Sequence, residues 1–341
     1  MRGRWITLLG LGIALGLLWW LFRDEDPAEV WGQVRGANFG LLLLAVALTT
    51  ATFPVRAIRW RYLLAPAQPE APFRSRFEAV CIGFMTNNLL PRVGELARAY
   101  AYSRREPVPA ATAFATLVVE RFLDGIAILL LLLLALTGPA FPTAGLPVEI
   151  VTGVRVVGLF LGLVVVGSAL LLGAPGPSLR TAGWFARTLL PTRWADPFVR
   201  LVRSFVEGLA ALRGWRLLLP ALAWSLGVWM LQSLSLWIGF LAFDIHLTFD
   251  AALLTNGSVA IASTIPTPGF FGTFHAAAKL ALADVYGVAE TNALGFAVGW
   301  HLGSFFPITI MGLWYARNLG LSLREISGRR GMHGDAGGGA P

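Results

Sequence analysis

The sequence predicts an all-α polytopic membrane protein: six spanning helices plus two re-entrant helical hairpins in an inverted repeat, with N and C termini cytoplasmic. Three observations predict it. The chain is 56% hydrophobic and 13% charged, with mean hydropathy +0.67, whereas soluble domains run at about 45–50% apolar and ~25% charged. Several apolar runs reach the ~20 residues that a helix needs to cross a ~30 Å hydrocarbon core. The arginines are spread unevenly between those runs, as the positive-inside rule requires. That rule accounts for the net charge of +8, and no nucleic-acid partner is expected. Thirteen tryptophans suit two interfacial belts. The lone cysteine, Cys81, excludes an internal disulfide, and no Cys/His spacing resembles a metal site, so no cofactor is expected.

Residues 1–34 read as an N-terminal anchor span, near 5–22, and an outer loop. Arg2 and Arg4 before an apolar run resemble a signal peptide, but only "RDEDP" follows, with no small-residue cleavage pattern, so the span is read as uncleaved. Residues 35–136 form the first repeat: a span at 39–55, a broken segment at 77–105 and a span at 110–136. Arg56, Arg59, Arg61, Arg74 and Arg76 on one side of the broken segment, and Arg104 and Arg105 on the other, place both its ends at the cytoplasmic face. Residues 137–216 hold a connection without basic residues, a span at 151–173 and an arginine-rich connector. In that connector "ADPFVRLVRSFVEGLAALRGW" offers Asp196 as N-cap and Pro197 as N1. Its apolar and basic faces suit a helix lying on the inner leaflet. Residues 217–320 form the second repeat, with spans at 217–243 and 293–315 around a broken segment at 249–287. Acidic or neutral residues flank that segment, so it opens to the outer side. Residues 321–341 are a Gly-rich, disordered cytoplasmic tail.

The two broken segments resemble each other. Each starts with Phe and an acid, continues as an apolar half-helix and reaches P-x-x-G, Pro91 to Gly94 and Pro266 to Gly269. With opposite charge flanks they form an inverted repeat, the plan of secondary transporters with a site at mid-membrane.

Three polar constellations stand out. In "NNLLPRVGELARAY", Pro91 reads as the start of the hairpin's second half-helix, and Asn87 and Asn88 satisfy backbone groups that lipid cannot. A helix N-terminus favours an anion, and the planar fork of Arg92 in that first turn suits a phosphate. Glu95 and Arg98 can pair at i+3. In "VVERFLDGIAILL", Glu120 lies ~15 Å into its helix by the 1.5 Å rise, with Asp124 one turn on and Arg121 able to reach it. Charges at that depth mark a pathway or site, or a structural pair with Arg98 or Arg92 that locks helix to hairpin. In "STIPTPGFFGTFHAAAK" and "AVGWHLGSFF", His275 and His301 are either packed core histidines or proton carriers.

Together, "RWRYLL", "NNLLPRVGELARAY", "ERFLD" and "PTPGFFG" resemble the flippase-like, lysylphosphatidylglycerol synthase transmembrane domain family over about residues 35 to 320. The resemblance implies that Asn87, Pro91, Gly94, Glu95, Arg98, Glu120, Arg121 and Asp124 line a lipid path. The family's later motif, P-x-P-G-G-x-G-x-x-E, matches at Pro266, Pro268, Gly269 and Gly272, with Phe270 in place of a glycine and His275 in place of the glutamate. The implied function is translocation of an anionic phospholipid or a polyprenyl-phosphate-linked lipid between leaflets of the bacterial inner membrane, with a possible homo-oligomer. The alternatives are an intramembrane transferase on a lipid carrier and a small-solute or ion transporter. Synthase members add a large soluble domain, and an enzyme is not expected here because the sequence shows no nucleotide-binding loop or nucleophile–base pair.

Overall fold

The computed structural model describes residues 2–23, 25–90, 93–136, 175–189 and 215–321, with isolated positions between 141 and 199. The elements, in order, are α1 (Arg2–Phe22), α2 (Pro27–Gly36), α3 (Phe39–Leu64), α4 (Phe73–Leu89), α5 (Gly94–Ser103), α6 (Ala110–Leu136), α7 (Pro175–Leu189), α8 (Trp215–Ala242) and α9 (Phe249–Ala262). A 3-10 turn (Pro268–Phe270), α10 (Thr273–Lys279), a π-helical turn (Leu280–Val285) and α11 (Glu290–Asn318) complete them. Every element among the described residues is helical. Among the described residues three helices, α3, α8 and α11, are long and apolar enough to cross a membrane. At 27 residues α6 is as long, and carries Glu120, Arg121 and Asp124 near its middle. Apart from isolated positions, the predicted span at 151–173, the helix beginning at Asp196 and the tail beyond Leu321 lie outside the described residues, as do Pro91 and Arg92.

Two boundaries differ from the sequence reading. The helix predicted to end at 55 runs on to Leu64, so Arg56 and Arg59 are not interfacial markers but buried residues of α3. The predicted outer loop holds α2, started by Asp26, whose side chain accepts the Ala28 N–H at 2.8 Å, with Pro27 at N1. Val30 of α2 packs with Leu21 of α1 and Leu294 of α11. Asn38 caps α3 in the same way, accepting the Leu41 N–H at 3.1 Å.

The helices pair in a regular pattern. The long pair α3 and α8 pack on each other, tied where Ser235 Oγ donates to the Ala45 carbonyl at 2.7 Å. Helix α4 packs on α11, where a Cβ at Gly312 would lie 2.2 Å from Met85 Cβ. Helix α9 packs on α6, where Leu132 occupies the space beside Gly257. One apolar core, around Trp60, Tyr102, Ile82 and Met85, joins α3, α4, α5, α6 and α11. A second, around Phe240, Phe296 and Trp300, joins α3, α8, α9, α10 and α11.

Candidate functional site

Helices α3, α5 and α6 converge on a buried charge cluster. Arg59 of α3, fully buried, sits between two carboxylates: its Nη2 is 2.8 Å from Glu120 Oε1 and its Nη1 donates to Asp124 Oδ1. Arg98 of α5 grips Glu120 with both fork nitrogens, at 2.7 and 3.0 Å, and its guanidinium lies 4.0 Å over the Trp60 ring. Arg121 reaches Glu120 at 3.0 Å and Asp124 at 3.3 Å. Ser225 accepts from Arg59 at 2.9 Å, and Trp229 Nε1 donates to Asp124 at 2.9 Å. Such partners make the burial of these charges tolerable, since desolvation costs several kcal/mol per ion and only close, hydrogen-bonded pairing offsets it.

Arg56 is different. It is 6% exposed, its nearest carboxylate oxygen is Asp124 Oδ2 at 3.9 Å, and its Nε and Nη1 have no hydrogen-bond partner. Its guanidinium instead faces the rings of Phe84 at 5.0 Å and Trp229 at 5.8 Å. Counting Glu95, the described cluster sets four arginines against three carboxylates, an excess of one positive charge.

The first hairpin closes on this cluster. Helix α5 starts at Gly94, after Val93, and not at Pro91. Asn87 Oδ1 accepts the Gly94 N–H at 2.8 Å, so the amide caps the second half-helix across the break, as predicted for the asparagines. Arg98 takes the helix-to-hairpin pairing that the sequence offered, with Glu120, and not the i+3 pairing with Glu95, because α6 presents a buried carboxylate in fork geometry while Glu95 stays half-exposed at the helix start. The two halves touch through glycines: a Cβ at Gly94 would lie 2.3 Å from the Gly83 carbonyl oxygen.

The second hairpin turns at Gly269 (φ 57°), Phe270 (φ 60°) and Gly272 (φ 82°). His301 of α11 donates through Nε2 to the Gly269 carbonyl at 2.9 Å. His275 is buried behind it, with ring centroids 5.1 Å apart and Phe271 and Phe274 alongside. The hairpin tips meet, since a Cβ at Gly269 would lie 3.2 Å from the Asn88 carbonyl oxygen. Asn88 Nδ2 donates to Thr309 Oγ1 of α11 at 2.8 Å.

A cavity of about 420 Å³ lies between the two hairpins, within the range of small-molecule sites. Of the predicted site residues, Asn87, Asn88, Gly94, Glu95, Arg98, Arg121, Asp124, Pro266 and His301 line it. Glu120 sits behind the arginines with no exposed surface. Pro268, Gly269, Gly272 and His275 shape the second tip without lining the cavity; Gly272 packs against Leu17 of α1. Sequence reasoning missed Arg56 and Arg59 by reading them as interfacial charge, and missed Trp229, Gln232 and Asn256 inside apolar runs. Spacing carried a signal: Arg56 and Arg59 stand three apart, on one face of α3, within reach of the acids at 120 and 124.

The family model for the lysylphosphatidylglycerol synthase transmembrane region matches residues 7–312. The chain belongs to this family. It is 25% identical over 327 residues to UPF0104 membrane protein PH1989 of Pyrococcus horikoshii, covering 92% of this chain and 96% of that protein. A UPF0104 membrane protein of Methanothermobacter thermautotrophicus is 25% identical over 88% of this chain and 91% of its own length. Glycosyltransferase AglD of Haloferax volcanii is 27% identical over 80% of this chain, which spans about half (48%) of that protein. No solved structure matches. The relatives named here are archaeal, so the family places the chain in a membrane, and not specifically in a bacterial one.

Proposed function

We propose that this member of the synthase transmembrane family translocates a lipid with a phosphate headgroup between leaflets, and that Arg56 is its principal phosphate ligand. One observation carries the reading: Arg56, a buried guanidinium with no hydrogen-bonded carboxylate, lines a headgroup-sized cavity, in a described cluster with one positive charge in excess. A phosphodiester neutralises that charge, and an arginine fork suits it in shape and charge. Arg98 and Arg121 widen the cationic wall.

In this reading the two hairpins are re-entrant and the repeats inverted, with six crossings. Exchange of packing partners supports it: α4 of one hairpin packs on α11, the last span of the other repeat, and α9 packs on α6 in return. The likeness to AglD favours transferase chemistry as a second reading. Against it, Glu120 and Asp124 are each held by arginines, an arrangement that suppresses their use as general bases.

Two measurements test the proposal. In liposomes carrying the protein, Arg56→Lys should slow movement of a fluorescent phospholipid about tenfold, and Arg56→Ala towards a hundredfold, since a charge-assisted hydrogen bond contributes about 1.5–3 kcal/mol. Movement of a fluorescent diacylglycerol should be slow in all three proteins; equal movement of both lipids, insensitive to Arg56, would refute the phosphate site. For the repeat, single cysteines in a Cys81→Ser background should label residues 68 and 190 from inside, and 143 and 247 from outside. Labelling of 190 and 247 from the same side is incompatible with it.

A further inference from the structure

The cavity has two chemically different ends, and the second end names the headgroup. Arg56 and the carboxylates lie at one end of its α3 wall. Thr49 lies seven residues earlier on α3, on the same face and about 10 Å away along the axis. There Thr49 Oγ1 donates to Gln232 Oε1 at 3.1 Å, which leaves the Gln232 NH₂ to donate. Asn256 spends its NH₂ on the Trp229 carbonyl (3.0 Å) and Ser233 Oγ (2.8 Å), which leaves its carbonyl to accept. Ser263 and Ser304, also on the wall, give their hydroxyl protons to backbone carbonyls and keep lone pairs free. Neutral donors thus stand beside neutral acceptors, and the only acids lining the cavity among the described residues, Glu95 and Asp124, belong to the arginine end.

That mixture fits hydroxyl groups, each both donor and acceptor, and does not fit an ammonium group, which only donates and needs a carboxylate when buried. Charge agrees. A phosphodiester with an uncharged headgroup cancels the cluster's single excess charge. A headgroup that also carries a free amine, as in an aminoacylated lipid, leaves a positive excess in place. Resting on the translocator reading, we infer that the substrate is a phosphodiester lipid whose headgroup is a neutral polyol or sugar, and that Gln232 is a specificity-determining residue for it.

The test is binding of short-chain lipids to the purified full-length protein in detergent, read by isothermal titration. The probes are dioctanoyl phosphatidylglycerol, lysyl-phosphatidylglycerol, phosphatidic acid and dioctanoylglycerol. Phosphatidylglycerol should bind about tenfold or more tighter than lysyl-phosphatidylglycerol, whose lysyl group brings two amines that find no acid at the neutral end, and more tightly than phosphatidic acid, which lacks the polyol. Gln232→Glu keeps the acceptor for Thr49 and adds an acid at the neutral end, so it should shift the ratio of the first two about tenfold towards the lysyl lipid. If lysyl-phosphatidylglycerol binds wild type as well as phosphatidylglycerol does, or if phosphatidic acid matches it, the headgroup assignment is overturned while the phosphate site stands. If no phospholipid binds better than dioctanoylglycerol, the phosphate site falls and the assignment with it. A ratio unmoved in folded Gln232→Glu removes Gln232 from the role; Gln232→Ala, expected to weaken phosphatidylglycerol and leave phosphatidic acid unchanged, reads the same role without adding a charge.

Discussion

Glu120→Gln should cost about 3–5 kcal/mol of stability, the usual result of leaving a buried ion without its partner. Glu120 is the node of the cluster: Arg59, Arg98 and Arg121 all reach it, and two of those three are fully or almost fully buried. Neutralising it leaves the buried guanidiniums of Arg56, Arg59 and Arg98 with Asp124 as the one buried carboxylate of the described cluster. Against the 5–15 kcal/mol that folded domains usually hold, this is a large fraction. The folded, monodisperse yield from detergent should therefore collapse, with a matching fall in melting temperature. Removing Arg98 as well, in Glu120→Gln/Arg98→Gln, should recover part of the loss, because the two act as a pair. Glu29→Gln, on the exposed first turn of α2, should change neither quantity. A wild-type melting temperature for Glu120→Gln would show that the cluster does not hold the fold together.

Gly94→Val should be comparably damaging, by contact and not by charge. The added Cβ would lie 2.3 Å from the Gly83 carbonyl oxygen and 2.4 Å from Asn87 Cγ. Neither can retreat easily: the first is helix backbone, and the second is the amide that caps Gly94 itself. Overpacking of this kind costs about 1–3 kcal/mol or more. Here it also separates the half-helices and displaces Arg98, one turn along, from Glu120. Gly16→Ala, where nothing lies within 4 Å, is the matched control and should be neutral. Equal thermal stability of the two variants would mean that the hairpin is not clamped at Gly83 and Gly94.

Much of the fold was legible because lipid imposes long apolar runs. The spans read at 110–136, 217–243 and 293–315 correspond to α6, α8 and α11 within three residues at each end. Both broken segments were legible from proline and glycine inside apolar sequence. The end of α3 was not. Charge asymmetry counts arginines by position along the chain and is blind to depth, so an arginine that pairs with a carboxylate from a distant helix reads as one facing headgroups. Arg56 and Arg59 were misplaced for that reason. The Arg98–Glu120 pair was legible as one of two alternatives, the lock between helix and hairpin; its bidentate geometry, in preference to the local i+3 pairing with Glu95, exists only once α5 and α6 are packed together. The neutral wall of the cavity, Gln232 and Asn256, was invisible because one amide in an apolar helix carries no periodic signal.

Helix α11 holds both hairpin tips. His301 takes the carbonyl of Gly269, and Thr309 takes the amide of Asn88, eight residues or about 12 Å further on. Pro307 stands between them, where its missing N–H deprives Gly303 of a helical partner and weakens the rod locally. The arrangement is that of a seesaw with its pivot near the proline. Bending at the proline would move the two contacts relative to one another. In the proposed translocator such coupling would open one face at a time without a separate sensor for the opposite one, and Pro307→Leu would slow lipid movement while leaving lipid binding in place.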